Sequence, residues 1–200
     1  MSLEQVSQRA GVDIACIEII ARWESCLKKV GPNSYGPYLC PARVPTLGYG
    51  TTVYNEIGRK VSLSDPPITK EKAEELLGYD IGKVYAPAVD RAFNKWQHEN
   101  QRSACVSFAY NVGTYGFAKS TMCWLLKNGQ YERAADEFLK WTRGGGRVLP
   151  GLVNRRNDER RLFLAKTTAK QASVPAAGPR PQSPPQSGYY RTVLRWLGMT

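Results

Sequence analysis

The chemically richest stretch runs from Trp23-Glu24 to Gly48-Tyr49-Gly50-Thr51. One carboxyl group, Glu24, ends an apolar run with helical spacing. The chain then loops through Gly and Pro to Tyr38-Leu39-Cys40 and returns through Thr46-Leu47-Gly48-Tyr49-Gly50. A carboxyl whose surroundings disfavour charge keeps its proton towards neutral pH. It can pass that proton to a leaving oxygen. Scission of a glycosidic bond needs such a donor, and a second group across the sugar to handle water or the developing cation. Glu24 suits the donor's part. Spacing alone leaves the assignment open, since a lone glutamate at a helix end is more often solvated or salt-bridged.

The elements that must position this stretch follow from periodicity and punctuation. Residues 2–27 read as helical with a break at Gly11-Val12-Asp13. Ser2 with Gln5 makes a capping box, and Asp13 caps a second helix on which Cys16-Ile17, Ile20-Ala21 and Glu24 share a face. Between 29 and 64, Gly and Pro cut the chain into short β-type pieces, expected as a small antiparallel sheet around 46–63. From Thr69 onward the pattern is helical, with Pro87 at a helix start or kink. The most apolar helix, 104–112, ends at Gly113. Helical runs over 117–126 and 131–141 follow, then a break at Gly144-Gly145-Gly146 and a last helix of about 152–166. The fold class is therefore α+β and mainly helical.

The 200 residues suit one domain plus a tail, and 42% hydrophobic content suffices for a core. A net charge of +11 points to an anionic partner: nucleic acid, a membrane surface or an acidic polymer such as a cell wall. Nine Lys or Arg against two acids in 139–170 supply +7 of it, read as a solvated face that attracts such a polymer. The five cysteines (16, 26, 40, 105, 123) have no CxxC spacing and there is one histidine, His98, so no zinc site is expected. Cys16, Cys105 and Cys123 read as buried thiols in a chain folded in a reducing compartment.

Charges at Glu4, Arg9, Asp13, Glu18 and Arg22 leave no clean apolar core for a signal peptide. No apolar run approaches the ~20 residues of a membrane span. Delivery outside the cytoplasm would thus need another agent. Residues 169–188 read as a Pro-rich linker. In 189–200, Tyr190, Val193, Leu194 and Leu197 fall at helical spacing beside Arg191 and Arg195, an amphipathic basic segment suited to docking on a partner protein or a membrane.

Taken in order, these motifs resemble those of phage-type (T4-like) lysozymes, glycoside hydrolase family 24. That family carries a catalytic Glu at a helix end, then Tyr-x-Asp or Tyr-x-Cys, five residues, and Thr-Ile-Gly-Tyr-Gly. This chain has Glu24, Tyr38-Leu39-Cys40, residues 41–45, and Thr46-Leu47-Gly48-Tyr49-Gly50-Thr51. Ile68-Thr69-Lys70-Glu71-Lys72-Ala73-Glu74 is similar to the helix after the family's β-lobe. Ser107-Phe108-Ala109-Tyr110-Asn111-Val112-Gly113 is similar to its central helix. Gly145-Gly146-Arg147-Val148-Leu149-Pro150-Gly151-Leu152 with Arg155-Arg156 and Glu159-Arg160 is similar to its C-terminal end. The resemblance covers about 14–166.

The resemblance implies a two-lobed lysozyme-like fold. A β-lobe of about 25–64 and a helical lobe of about 69–166, on which the N-terminal helix packs, make up a domain of 1–168 with the cleft between the lobes. It implies cleavage of the β-1,4 bond between N-acetylmuramic acid and N-acetylglucosamine in bacterial peptidoglycan, with inversion, and no metal or other cofactor. Glu24 would be the general acid. Cys40 would stand at the Asp-or-Cys position that handles water, and Thr46 would hold that water. Asn111 would line the groove, and Arg155, or its neighbour Arg156, would pair with the acid. Trp141, otherwise a core aromatic like Tyr110, Trp124 and Phe138, could edge the groove and stack on sugar.

The chain departs from the family pattern in three places. Fifteen residues separate Glu24 from Cys40, an excess of roughly seven around 29–36 that could reshape one groove wall. Ser25 replaces the Gly that follows the acid, and Leu47 replaces an Ile. The expected setting is either a phage endolysin or a virion lysozyme. An alternative rests on 3–12, which resembles the opening of a helix-turn-helix and, with the basic charge, suggests a nucleic-acid-binding module. No specific nucleic acid is expected as partner under the first reading.

Overall fold

The computed structural model describes residues 2–24, 28–40 and 43–165. Cys26, the Pro-rich 169–188 stretch and the 189–200 segment lie outside them. Helix α1 (Leu3–Ala10) starts on the expected box: Ser2 Oγ accepts from the Gln5 N–H, and Gln5 Oε1 accepts from the Ser2 N–H. Gly11 ends it in the left-handed region at φ 64°. Asp13 then caps α2 (Ile14–Trp23), its Oδ1 accepting from the Ala15 N–H at 2.9 Å. Helix α2 stops before 27. Glu24 is its C-cap, and the Glu24 N–H still donates to Ile20 O.

Cys16, Ile17 and Ile20 of α2 are fully buried, and the helix is wedged against α5 and α9. That overturns the helix-turn-helix alternative. A recognition helix must offer a polar face to a groove, and this one spends its surface on the core.

The β region holds β1 (Lys29–Gly31) with β2 (Ser34–Tyr35), β3 (Tyr38–Leu39) with β4 (Pro45–Thr46), and β5 (Val53–Tyr54) with β6 (Arg59–Lys60). These are separate antiparallel pairs rather than the single small sheet expected around 46–63. Pro32, Gly36, Pro37 and Pro45 account for it, since proline donates nothing to a ladder and glycine weakens a strand. The excess residues of 29–36 form the β1–β2 hairpin. Tyr35 exchanges both backbone hydrogen bonds with Ile68 (2.8 and 2.9 Å). The Asn33 side chain donates to Glu71 Oε2 and accepts from the Lys70 N–H.

Thr69 caps α3 (Lys70–Asp80), which runs through a π-helical turn, Ile81–Tyr85, into α4 (Ala86–Ala92). Pro87 lacks the N–H that would bond one turn back, and its ring crowds that carbonyl. A wider turn just before it is the local solution. Helix α5 (Glu99–Val112) is buried on nearly every side and touches α2, α4, α6 and α9. The expected 117–126 helix is two, α6 (Thr114–Ala118) and α7 (Thr121–Lys127). Ser120 ends the first by donating to Phe117 O and caps the second by accepting from the Cys123 N–H.

Helix α8 (Tyr131–Glu137) ends in a 3-10 turn, Phe138–Lys140. The glycine break is a hairpin of β7 (Arg143–Gly144) and β8 (Arg147–Val148), and α9 (Pro150–Leu164) closes the described chain. Phe108, Phe138 and Phe163 meet edge to face between α5 and α9, with centroids 5.4 and 5.8 Å apart. Lys140, Arg143, Arg147 and Arg161 of the basic stretch are exposed, as expected from composition, but two of its arginines are not part of that face. Arg155 and Arg156 are 2% and 0% exposed, Arg160 pairs with Asp136, and Arg161 pairs with Asp158. Among the described residues, no helix is long and apolar enough to cross a membrane.

Candidate active site

Glu24 lies where α2 stops, so its side chain is fixed by a helix end rather than a loop. The neighbouring Trp23 secures that end, its Nε1 donating to Asp158 Oδ2 on α9 at 3.1 Å. Glu24 is 4% exposed. It does not face the apolar surroundings expected of it: Arg155 Nη1 donates to its Oε1 at 2.6 Å. Arg155 Nε donates to Glu159 Oε1 (3.1 Å) and Nη2 to the Ser107 carbonyl (3.3 Å). Ser107 Oγ donates to the same Glu159 oxygen at 2.8 Å.

Arg156 reaches Asn111 Oδ1 through Nη2 at 2.8 Å. Its Nε lies 3.2 Å from Glu159 Oε2, an ion pair without hydrogen-bond geometry, and its guanidinium stacks on Phe108 at 4.9 Å. Two carboxylates and two guanidiniums thus share one buried site where α2, α5 and α9 meet. Their formal charges cancel, the condition under which buried charge is tolerated. Burial works against Arg155, but Glu24 and Glu159 outweigh it and hold its pKa above the ordinary range. Burial lowers that of Arg156 to about 10, which leaves it a cation at neutral pH.

The returning strand presents a different construction. Leu47 and Thr51 exchange backbone hydrogen bonds (2.9 and 3.0 Å) around Gly48-Tyr49-Gly50. Gly48 sits at φ 57°, and a Cβ there would come within 3.0 Å of the Ala73 Cβ on α3, so both turn and packing require glycine. Tyr110 Oη on α5 donates to the Tyr49 carbonyl at 2.8 Å and ties this turn to the helical body. Burial pushes the Tyr110 phenol up, so the donor keeps its proton. Asp80, at the end of α3, accepts from Asn55 Nδ2 (2.7 Å) and Thr51 Oγ1 (3.5 Å). Burial raises it to about 6, against the pull of both partners.

Cys40 directly follows β3 and Thr46 lies on β4 of the same hairpin, both buried, with the Cys40 N–H donating to Val44 O at 3.0 Å. Thr46 Oγ1 also donates to Val44 O, at 2.9 Å. Among the described residues, no side-chain hydrogen bond links either residue to the Glu24 network. Side-chain hydrogen bonds and ion pairs therefore join Glu24, Arg155 and, through Glu159 and Arg156, Asn111, whereas Cys40 and Thr46 are held by bonds within their own hairpin. Trp141 is half-buried with its ring edge-on to Phe108 (5.0 Å, 86°), on the aromatic that carries Arg156.

Sequence reasoning does not single out Ser107, Glu159 or Asp80. Two signals point to the first two. Arg155 and Glu159 are spaced i,i+4 on α9, and Ser107 and Asn111 are spaced i,i+4 on α5, so each pair shares a helix face.

Comparison with known proteins agrees with this architecture. The phage lysozyme family model matches residues 28–159, a segment that begins just after Glu24 and contains Arg155 and Glu159. An endolysin of Bacillus phage B103 is 41% identical over 135 residues, 66% of this chain and 51% of that protein, so the chain spans about half the length of this relative. An endolysin from Escherichia coli O157:H7 phage FAHEc1 superimposes with a TM-score of 0.63 at 27% identity, over 80% of this chain and 96% of that one. A point mutant of the P22 lysozyme does so with a TM-score of 0.61 at 31% identity, over 76% and 97%. On a model match covering more than half of its length, this chain belongs to the phage lysozyme family.

Proposed function

We propose that the protein is a muramidase that hydrolyses the β-1,4 bond between N-acetylmuramic acid and N-acetylglucosamine in bacterial peptidoglycan, with the T4-like site pattern of glycoside hydrolase family 24. One observation carries this reading: Glu24, buried at the end of α2 and held by a single Arg155 nitrogen, stands where the motif series puts the acid. Glu24 protonates the leaving oxygen. Water on the far face of the sugar attacks the anomeric carbon, which inverts, and the proton that this water sheds as the new bond forms is released to solvent.

Cys40 and Thr46 handle that water. The Thr46 proton is committed to Val44 O, so towards water its hydroxyl acts as acceptor and leaves the water's lone pair for the carbon. Both residues are closed to solvent here, so the role requires the β3–β4 hairpin to open on substrate. Asn111, its Oδ1 engaged by Arg156, offers its Nδ2 end to sugar, and Trp141 supplies a stacking face. Arg155 orients Glu24 rather than touching sugar, because its three nitrogens are engaged inside the protein.

Digestion of purified sacculi should release fragments with muramic acid at the reducing end. Glu24→Gln should slow that release by about 10²–10⁴-fold. Near-normal lysis by Glu24→Gln would sink the mechanism, and glucosamine reducing ends would change the bond assigned. Surface cations would hold the enzyme on anionic wall polymer, so lysis should weaken as salt is added.

The B103 and FAHEc1 relatives are endolysins by name, which favours release from the host cytoplasm to the wall at the end of infection over a virion lysozyme. Finding this chain in purified particles would reverse that choice. The 189–200 segment, basic and amphipathic by sequence, is assigned to attachment on a phage structural protein or a membrane surface. Deleting 172–200 should leave hydrolysis of soluble peptidoglycan intact and weaken attachment.

A further inference from the structure

We propose that Glu159 is a positioning residue for this reaction: it takes a share of the Arg155 guanidinium away from Glu24, so the acid is oriented without being locked as an anion. The inference rests on Glu24 being the proton donor. Glu159 is 0% exposed and makes its polar contacts only inside the protein, so a direct encounter with sugar is closed to it. Its Oε1 gathers two donors, Ser107 Oγ at 2.8 Å and Arg155 Nε at 3.1 Å. Each of the three Arg155 nitrogens has a different acceptor: Glu159, Glu24 and the Ser107 carbonyl.

A buried carboxylate facing an undivided cation gives up its charge reluctantly, because the attraction is little screened there. A second carboxylate on the far side of the same guanidinium offsets that attraction. Glu159 is placed for this, and Ser107 sets how strongly Glu159 competes by donating to the oxygen that Arg155 also uses. The remaining titratable groups around the pair are accounted for. Tyr85 and Tyr110 face Glu24, and burial pushes both phenols up, so they stay neutral. Cys16 and Cys105 face Glu159 with thiols likewise raised by burial. Arg156 faces both carboxylates and stays a cation. Asp80, raised by burial to about 6, faces Tyr85 and Tyr110; its hydrogen bonds go to Thr51 and Asn55 rather than to Glu159 or Ser107, so a comparison between variants at those two positions cancels it.

The test is the lysis rate of cell-wall suspensions against pH, at constant ionic strength, for the wild type, Glu159→Gln and Ser107→Ala. In Glu159→Gln the upper limb of the profile should move down by about one pH unit, with kcat reduced and apparent KM unchanged. In Ser107→Ala, Glu159 loses a competing donor and binds Arg155 more tightly, so the limb should move up. Opposite shifts from two substitutions at one contact are not what loss of packing produces. A folded Glu159→Gln protein whose limb coincides with that of the wild type overturns the proposal. If Glu159→Gln does not fold, a Ser107→Ala limb that stays put or moves down overturns it. A wild type inactive at every pH sinks both this proposal and the muramidase reading beneath it.

Discussion

The helical half of the site and the hairpin half are held by different bonds. Glu24, Arg155, Glu159, Arg156 and Asn111 are joined by side-chain hydrogen bonds and ion pairs, all buried, where three helices meet. Cys40 and Thr46 are held by backbone bonds of a two-stranded hairpin and by one hydroxyl bond to Val44 O. Charges fix orientation strongly but cost a great deal when one partner is lost. A short hairpin costs little to deform. The proposed acid is therefore built into a network of buried charges, and the groups proposed to handle water are carried by a short hairpin.

Arg155→Met should produce the largest effect on stability. It strands Glu24 as a buried carboxylate and leaves Glu159 with only Arg156 and Ser107, so the free energy of unfolding measured in urea should fall by about 3–5 kcal/mol. A loss under about 1 kcal/mol would mean that the network does not hold the helices together.

The second test lies on the seam where α3 meets the β region beyond that hairpin, with Asp80 accepting from Thr51 and Asn55. Burial raises this group from 3.8 to about 6 in the fold. Between those values the folded protein binds the proton that the unfolded chain releases. The stability it contributes is complete below the lower value and is lost as pH rises through the upper one, about 2–3 kcal/mol in all. Asp80→Asn removes that titration. Urea midpoints should therefore shift in the variant's favour, relative to the wild type, as pH rises from about 4 to about 6.5. Parallel curves would show that Asp80 is not desolvated by the seam.

Smaller effects belong to the hairpin. Thr46→Val keeps the shape but removes the donor to Val44 O, which should lower stability by about 0.5–1.5 kcal/mol. If the hydroxyl also orients water, lysis should fall further than that loss of stability explains. Cys40→Ser should cost the least, with lysis reduced by less than about tenfold, since a hydroxyl retains the thiol's ability to orient water. A loss as deep as that of Glu24→Gln would move Cys40 to the centre of the chemistry.

Much of this architecture is legible in residue types and their spacing. The Ser2–Gln5 box, the Asp13 and Thr69 caps and the stops at Gly11 and Gly113 are local, so a few neighbouring residues specify them. The Ser120 break is not legible in this way, because serine caps a helix only if the chain is already turning there. The β region reads as one sheet because spacing shows strand pieces but not which of them pair. The basic count in 139–170 misleads for a related reason: formal charge does not reveal that Arg155 and Arg156 are balanced by Glu24 and Glu159 inside the protein.

The sequence by itself determined that an acid ends α2 and that Gly48 and Gly50 turn the returning strand, because helix ends and left-handed turns are set within a few residues. It also put two adjacent arginines on the last helix. Only the tertiary structure decided which of them meets the acid. Consecutive residues on a helix point about 100° apart, so the rotation of α9 against α2 and α5 sends Arg155 to Glu24 and Arg156 to Asn111. Phe108, Phe138 and Phe163, residues far from Glu24 in the chain, pack edge to face beside α5 and α9 and are among the contacts that hold that rotation.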